Sequence, residues 1–248
     1  MTRPFLAIVI PAYNEEARIE DSVRRVAAHL ASKAYAWEIA VVDDGSTDAT
    51  VRIVSRLAAE NPSVRLLSIP HAGKGAAVRH GMLNSDAEWR FLCDADLSMP
   101  PEQIDRFFPG EGGRPLFDVS VGSREAPGAR RFDEPLARHL IGGLYNRVTR
   151  LAAVGGVDDT QCGFKLFRGD VARELFSRQR LDGFAFDVEV LFLARKLGFT
   201  VGEIAIDWYY KSGSKVTLKR GASAFLDILR VRLNDLLGRY SSSPRTAP

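Results

Sequence analysis

The feature that most constrains the fold is the alternation of short apolar runs with amphipathic stretches along the first half of the chain. Four such runs are Phe5–Ile10, Glu38–Val42, Val64–Ile69 and Trp89–Cys93. Strands that are apolar throughout are typical of a parallel sheet covered on both faces. The stretches between them predict helices, because their apolar positions recur every three or four residues. The pattern therefore predicts an α/β fold, a Rossmann-like doubly wound and mostly parallel sheet flanked by helices, with its ligand crevice at the carboxyl ends of the strands.

The second half is less regular. Strands are predicted at Phe117–Gly122, Gly163–Phe167 and Val201–Trp208, and helices at Pro135–Leu151, Val188–Leu197 and Gly221–Tyr240. No linker interrupts the 248 residues, so we expect one domain over residues 1–240, with a nucleotide-binding half (1–125), an acceptor-binding half (126–240) and a disordered tail (241–248). The leucines of the last helix either pack on the sheet or lie in a membrane interface.

Composition excludes several classes of protein. Because 34 basic residues face 31 acidic ones, the charge gives no reason to expect a nucleic-acid partner. Cys93 and Cys162 are far apart and form no metal or redox spacing. No apolar run approaches the ~20 residues of a membrane-spanning helix. We therefore expect a cytoplasmic protein, with any membrane contact peripheral and on the cytoplasmic face.

Acidic pairs follow two of the predicted strands. Asp94 and Asp96 come directly after the fourth strand, where two carboxylates can turn toward one cation. Oxygen ligands of this kind suit Mg²⁺ or Mn²⁺ shared with a diphosphate, although such pairs are also common in solvated turns. Asp43 and Asp44 follow the second strand and can accept hydrogen bonds from a base or a ribose, or form a turn in which Ser46 or Thr47 caps the next helix. Both can hold together, with Asp43 as the ligand and residues 46–48 capping the helix.

A lysine flanked by glycines precedes the third helix. Lys74 lies in the segment HAGKG, which can place backbone N–H groups and an ammonium near phosphate oxygens. The segment is not a Walker A loop, because that loop needs a longer glycine spacing and a Ser or Thr after the lysine. An ordinary turn is the alternative.

Together these motifs carry a family resemblance. The segments PAYNEE, VVDDGSTDAT, GKGAAVRHGM and CDADLSMP each follow one of the first four strands, and in this order they resemble the family 2 glycosyltransferases of the GT-A fold. The later segments GSRE, DTQCGFKLF, FDVEVLFLARKLGF and YYKSGSKV are similar to polyprenyl-phosphate glycosyltransferases. Within that group, these segments are most similar in sequence to those of the dolichyl-phosphate β-glucosyltransferases. The dolichol-phosphate mannose synthases come second.

The resemblance implies roles for particular residues. The positions implied to bind the nucleotide sugar are Pro11, Tyr13, Glu15, Asp43, Lys74, Asp94, Lys211 and Lys215. Asp96 is implied to hold a divalent metal ion, with Asp94 contacting that ion or the ribose. Gln161 is implied to face the sugar, and Asp187 to orient a sugar hydroxyl. Arg124 and Arg138 match the arginines that bind the acceptor phosphate.

The implied activity is a metal-dependent, inverting transfer of a hexose, with glucose from UDP-glucose favoured, onto a polyprenyl or dolichyl phosphate. The mannose synthases have Gln where this chain has Ser98, so GDP-mannose is the less favoured donor. A second hypothesis keeps the enzyme class but uses a soluble or polysaccharide hydroxyl acceptor, in which case Asp187 must act as the base. A third is a nucleotidyltransferase or a sugar-nucleotide-binding regulator, although PAYNEE is not the glycine-rich loop that usually opens the former.

Overall fold

A computed structural model of the protein describes residues 3–133, 155–211 and 229–241. The first half has the predicted alternation. Its elements are β1 (Leu6–Ala12), α1 (Ile19–Ala31), β2 (Trp37–Asp43), α2 (Thr50–Glu60), β3 (Val64–Ser68), α3 (Lys74–Leu83) and β4 (Trp89–Cys93). The order of strands and helices is confirmed, and their ends differ from the predicted ones by a few residues.

The remaining described elements extend the same sheet and add a small second one. They are a 3₁₀ helix (Pro101–Phe107), β5 (Val119–Ser123), β6 (Arg130–Phe132), β7 (Phe164–Arg168), α4 (Gly169–Arg178), α5 (Phe186–Lys196), β8 (Val201–Ala205) and β9 (Asp207–Tyr209). A seven-stranded sheet has the order β3-β2-β1-β4-β7-β5-β8, and β6 pairs with β9. Within the large sheet β7 runs antiparallel to both of its neighbours, while the other pairs are parallel. The mostly parallel, doubly wound sheet is therefore confirmed.

Side chains alternate between two apolar layers, one on each face of the sheet. On β1, Ile8 and Ile10 point into the layer covered by α1 and α2, whereas Val9 points into the layer covered by α3, α4 and α5. All three side chains are fully buried. The strands of the sheet centre are apolar throughout because both of their faces are covered by helices.

Some details of the fold differ from the prediction. The strand predicted over Val201–Trp208 is two strands, β8 and β9, which break at Ile206 and enter different sheets. The 3₁₀ helix, β6 and α4 were not predicted. Within the predicted capping segment 46–48, the residue that bonds the start of α2 is Asp48 rather than Ser46 or Thr47: the helix begins at Thr50, and the Asp48 carboxylate accepts a hydrogen bond from the Thr50 N–H at 2.9 Å.

Some predictions fall outside the described residues. These are the helix over Pro135–Leu151, the first part of the helix over Gly221–Tyr240, most of the tail, and the site residues Arg138 and Lys215. The division at residue 125 stays a prediction. In the described part of the chain, no helix is both long and apolar enough to cross a membrane.

Candidate active site

The polar groups at the strand ends come together at one edge of the large sheet. Ala12 and Asp43 are register partners at the ends of β1 and β2, and Cys93 at the end of β4 is paired with Phe164. Because β7 is antiparallel, its beginning lies at this same edge, so the segment before Phe164 faces the segment after Cys93. The predicted crevice therefore lies at this edge of the sheet, between the ends of β1, β2 and β4 and the beginning of β7.

Asp94 and Lys74 form an ion pair in that crevice. The Lys74 Nζ lies 2.7 Å from Asp94 Oδ1 and 3.0 Å from Oδ2. Burial raises the pKa of the Asp94 carboxyl, and the Lys74 ammonium opposes this rise. Burial disfavours the charged form of Lys74, but the surrounding carboxylates outweigh it and raise the Lys74 pKa. They belong to Asp94, Asp187 and Asp96. Lys74 is therefore an ammonium whose charge is held among carboxylates.

Gly163 makes room for the Asp94 carboxylate. A Cβ atom at this position would lie 2.0 Å from Asp94 Oδ2, far inside van der Waals contact. The Asp94 N–H also donates to the Gly163 carbonyl at 3.2 Å. Gly163 is therefore a residue of the site that sequence reasoning placed only in a strand.

Asp96 lies two residues further along the same loop and is partly exposed. Its Oδ1 accepts a hydrogen bond from the Ser98 N–H at 2.8 Å. The loop is fixed on either side of it: Ser22 Oγ donates to the Ala95 carbonyl at 2.6 Å, and the Tyr209 N–H donates to the Ser98 carbonyl at 2.8 Å. The Asp96 carboxylate is therefore held at the mouth of the crevice, beside the Lys74–Asp94 pair.

Asp187 is buried in the first turn of α5 and is paired with a lysine that the sequence did not indicate. Lys165 Nζ on β7 lies 2.6 Å from Asp187 Oδ1 and also donates to the Cys162 carbonyl. The side chains of Lys165 and Asp187 are 1% and 5% exposed. One oxygen of the Asp187 carboxylate is therefore engaged by a buried ammonium, so that the two side chains compensate each other's charge.

The residues predicted to bind the base surround the ends of β1 and β2. Asp43 is buried, and its carboxylate accepts N–H bonds from Gly45 and Ser46 at 3.2 Å. Tyr13 is stacked on His71, with ring centroids 4.2 Å apart and planes 18° apart. The Asp44 carboxylate accepts hydrogen bonds from backbone N–H groups of the loop before α3, and it lies 2.9 Å from His71 Nδ1. Asp44 thus connects that loop to the stacked rings. The stacked rings of Tyr13 and His71 thus form an aromatic wall beside the buried Asp43 carboxylate. His71 was not among the residues predicted from the sequence.

Two further residues of the predicted base pocket lie on the same side. Pro11 is the partly exposed penultimate residue of β1. Glu15 follows β1, donates its N–H to Thr50 Oγ1 at 2.8 Å and pairs with Arg18 at 2.8 Å.

Arg124 forms a bidentate ion pair with Asp159. The guanidinium Nε and Nη2 lie 2.6 Å and 2.8 Å from the two carboxylate oxygens, and the Arg124 N–H also donates to Asp159. Asp159 is fully buried; burial raises its pKa, but Arg124 outweighs burial and leaves the pKa below its usual value. The guanidinium carbon lies 5.4 Å from the centroid of the Trp208 ring. Asp159, another residue that sequence reasoning missed, thus fixes the orientation of Arg124.

Two other predicted residues have simple surroundings. Gln161 is partly buried, two residues before Gly163, and Lys211 is exposed at the end of a described range. Their implied roles stay predictions. Among the described residues, no cluster of three or more His, Cys, Asp or Glu side chains is placed to hold a metal ion.

The fold and the site define a GT-A glycosyltransferase: a doubly wound sheet with stacked aromatic rings and a buried carboxylate at the ends of β1 and β2, and an Asp-x-Asp loop after β4 that faces a lysine. The chain belongs to glycosyl transferase family 2, whose sequence profile matches residues 7–176.

Similar proteins agree with this assignment. A dolichyl-phosphate beta-glucosyltransferase of Trichomonas vaginalis is 33% identical over 92% of this chain and 71% of its own length. The dolichyl-phosphate beta-glucosyltransferase of Homo sapiens is 31% identical over 95% of this chain and 77% of its own length. Among solved structures, glucosyl-3-phosphoglycerate synthase from Mycobacterium tuberculosis in complex with Mn²⁺, UDP-glucose and phosphoglyceric acid has a TM-score of 0.66. It is 18% identical, and the match covers 98% of this chain and 81% of that one. At this identity the likeness supports the fold.

Proposed function

We propose that this glycosyltransferase moves glucose from UDP-glucose onto a polyprenyl phosphate of the dolichyl phosphate type, with inversion at the anomeric carbon. The names of the relatives that match most of the chain support glucose and a dolichyl phosphate acceptor. The structural observation that carries the acceptor class is the buried Lys165–Asp187 ion pair. A hydroxyl acceptor requires a base to remove its proton, whereas a phosphate oxygen is already ionised at neutral pH. A site whose Asp187 carboxylate is already engaged in a buried ion pair suits the second kind of acceptor.

In the proposed reaction, an acceptor phosphate oxygen forms a bond with the anomeric carbon of glucose. The bond from that carbon to the β-phosphate oxygen breaks at the same time, and UDP leaves with the electron pair. In this proposal the Lys74 ammonium, which Asp94 holds in place, stabilises the negative charge that grows on the leaving diphosphate. In this proposal Asp43 hydrogen-bonds the base, and Tyr13 with Pro11 and Glu15 lines the base and ribose pocket.

We also propose that a Mg²⁺ or Mn²⁺ ion is bound through Asp96. The donor set fits, because these ions are commonly held by one or two carboxylates together with substrate phosphates. Asp96 is the more accessible donor, since the Asp94 carboxylate is shared with Lys74. When bound, such an ion supplies positive charge to the diphosphate leaving group.

The acceptor phosphate is proposed to be bound by Arg124 together with Arg138, with Lys211 and Lys215 closing the nucleotide sugar and Gln161 facing the glucose. A guanidinium held in a fixed orientation is well suited to bind a phosphate, because its planar donors match the phosphate oxygens. Asp159 and the Trp208 ring provide that orientation for Arg124.

The proposed function is tested by measuring nucleoside diphosphate release by the purified protein. UDP-glucose is compared with GDP-mannose, and a short polyprenyl phosphate with the alcohol of the same chain, each with Mn²⁺ and with a chelator. We expect release from UDP-glucose only with the phosphate acceptor and the metal. Equal rates with the alcohol would refute the phosphate acceptor and favour the hydroxyl hypothesis, in which Asp187 is the base. Faster release from GDP-mannose would refute glucose as the transferred sugar.

Arg124→Lys tests the acceptor site, and Arg130→Lys is its matched control. Both arginines form bidentate pairs with an aspartate, but Arg130, whose partner is Asp207, is not among the residues proposed to bind the acceptor. We expect Arg124→Lys to raise the KM for the acceptor by about 5- to 150-fold, corresponding to loss of one charged hydrogen bond, and to leave UDP affinity unchanged. An equal change in both variants would assign the effect to stability rather than to the acceptor.

A further inference from the structure

The last described segment of the chain presents an apolar face outward. Residues 229–236 are helical, and Leu229, Leu233 and Leu236 are 64%, 53% and 85% exposed. With 3.6 residues per turn, these three leucines lie within an arc of about 60°. Leu237, in the turn that follows, is also exposed. We call these four residues the leucine face.

The opposite side of the segment is the side that packs on the protein. Val231 and Asn234 are buried, and Tyr240 is 2% exposed after the helix ends. The Tyr240 hydroxyl donates a hydrogen bond to Glu189 Oε1 on α5 at 2.6 Å, and the Tyr240 carbonyl accepts a hydrogen bond from the Arg178 guanidinium at 2.9 Å. The segment is thus anchored firmly with its leucines directed away from the core. The structure therefore decides against the hypothesis that the leucines pack on the sheet.

Cationic side chains border the leucine face. At 3.6 residues per turn, Arg230 lies at one margin of the leucine arc, and Arg232 lies at the other, with its guanidinium carbon 5.2 Å from the centroid of the Phe192 ring. Arg239 follows in the turn after the helix. The acid of the segment, Asp235, is paired with Lys196. An apolar stripe with arginines at its margins has the pattern of a helix that lies in the interface of a bilayer containing anionic lipids.

The leucine face is also connected to the crevice. Glu189, which binds Tyr240, accepts N–H bonds from Arg180 and Leu181 through its other oxygen. The neighbouring Asp182 carbonyl accepts the Ala76 N–H bond in the helix that begins with Lys74. The same short region thus contacts both the anchored segment and the helix that bears a site residue.

We propose that the leucine face is the surface by which this protein lies on an anionic lipid bilayer. The proposal deepens the proposed function, in that the acceptor of that reaction is a lipid, but the docking itself requires no donor or acceptor. The leucine side chains enter the boundary between headgroups and acyl chains, and the bordering arginines contact lipid phosphates.

The test is co-sedimentation of the whole protein with vesicles of phosphatidylcholine alone and of phosphatidylcholine with phosphatidylglycerol, without substrates. We expect binding to the anionic vesicles, weakened about tenfold by Leu236→Gln, because the large apolar side chain no longer leaves water. Arg230→Gln should weaken binding to anionic vesicles about fivefold and leave the neutral ones unaffected. Leu116→Gln is the matched control, since Leu116 is 62% exposed elsewhere on the surface.

If something other than a bilayer covers the leucine face, these experiments give different results. If a second copy of the chain covers it, the wild type sediments as a dimer that Leu236→Gln dissociates, and vesicles are not bound. If another segment of this chain covers it, Leu236→Gln lowers the melting temperature and vesicles are again not bound. Either result overturns the proposal, as does binding by Leu236→Gln equal to that of the wild type. Vesicle binding without transfer to any polyprenyl phosphate would refute the proposed function alone, and transfer in detergent without vesicle binding would refute the leucine face alone.

Discussion

Replacing Lys165 by methionine tests the buried ion pair on which the proposed acceptor class depends. The methionine keeps most of the volume of the side chain but removes the ammonium that lies 2.6 Å from Asp187. Breaking a buried pair by removing one partner leaves an uncompensated charge and costs about 3–5 kcal/mol. Against a typical total stability of about 5–15 kcal/mol, this loss is readily measured as a lower urea midpoint.

The double variant Lys165→Met/Asp187→Asn provides the decisive comparison. It removes both charges, so we expect its loss of stability to be smaller than the sum of the two single losses by about 0.5–3 kcal/mol, the coupling that is common between neighbouring groups. The assay is urea unfolding of the wild type, both single variants and the double variant, followed by tryptophan fluorescence. A Lys165→Met variant as stable as the wild type, or a double variant whose loss equals the sum of the single losses, would refute the pair as a strong interaction. Asp187 would then be available as a base.

Three other substitutions test separate parts of the molecule. Asp43→Ala should weaken UDP binding by about 5- to 150-fold in calorimetry with the fold intact, because a buried hydrogen bond to the base is lost; unchanged affinity would exclude Asp43 from base recognition. Asp96→Asn should weaken Mn²⁺ binding in the presence of UDP, measured by the electron paramagnetic resonance of the free ion, and wild-type affinity would exclude Asp96 as the ligand. Asp207→Asn should be less stable than the wild type at pH 6, since hydrogen bonding by Arg130, together with Arg106 and against the effect of burial, lowers the Asp207 pKa to about 2. An aspartate in the unfolded chain has a pKa of about 3.9, so this stabilisation is present above that pH, and the difference in urea midpoint should shrink as the pH falls from 5 toward 2; a pH-independent difference would contradict the assignment.

The first half of the fold was predictable because its strands are buried on both faces. A strand such as β4, in which every residue is buried, must be apolar throughout or pair its polar groups, and that pattern is visible in the sequence. The break between β8 and β9 was not predictable, because the apolar alternation continues through Ile206 and only the pairing partners change. The helix α4 was missed although Val171, Ala172, Leu175 and Phe176 have helical spacing, because the strand before it leads into it without a turn.

The candidate site was predictable in its strand-end carboxylates but not in the cations that balance them. Asp94 and Asp96 follow an apolar strand, so their position at the sheet edge follows from the order of elements. Lys165 has no such signal: it lies within a strand, and only the packing of α5 on that strand shows that it meets Asp187. The leucines of residues 229–237 gave an ambiguous signal for a similar reason, since a helical period reveals an apolar face without revealing what covers it.

The three carboxylates of the crevice differ in their partners, and the roles proposed for them follow from that difference. Asp94 is paired with Lys74 and Asp187 with Lys165, so two of the three have a lysine as their direct partner. The side-chain contact recorded for Asp96 within the described residues is a neutral N–H donor, from Ser98. A neutral donor leaves most of the negative charge of a carboxylate available, whereas an ammonium cancels it. We therefore expect a divalent cation brought in with a nucleotide diphosphate to be attracted most strongly to Asp96. In the proposed reaction, Asp94 holds the Lys74 ammonium for the leaving diphosphate, and the paired Asp187 leaves the crevice suited to an acceptor that arrives already ionised.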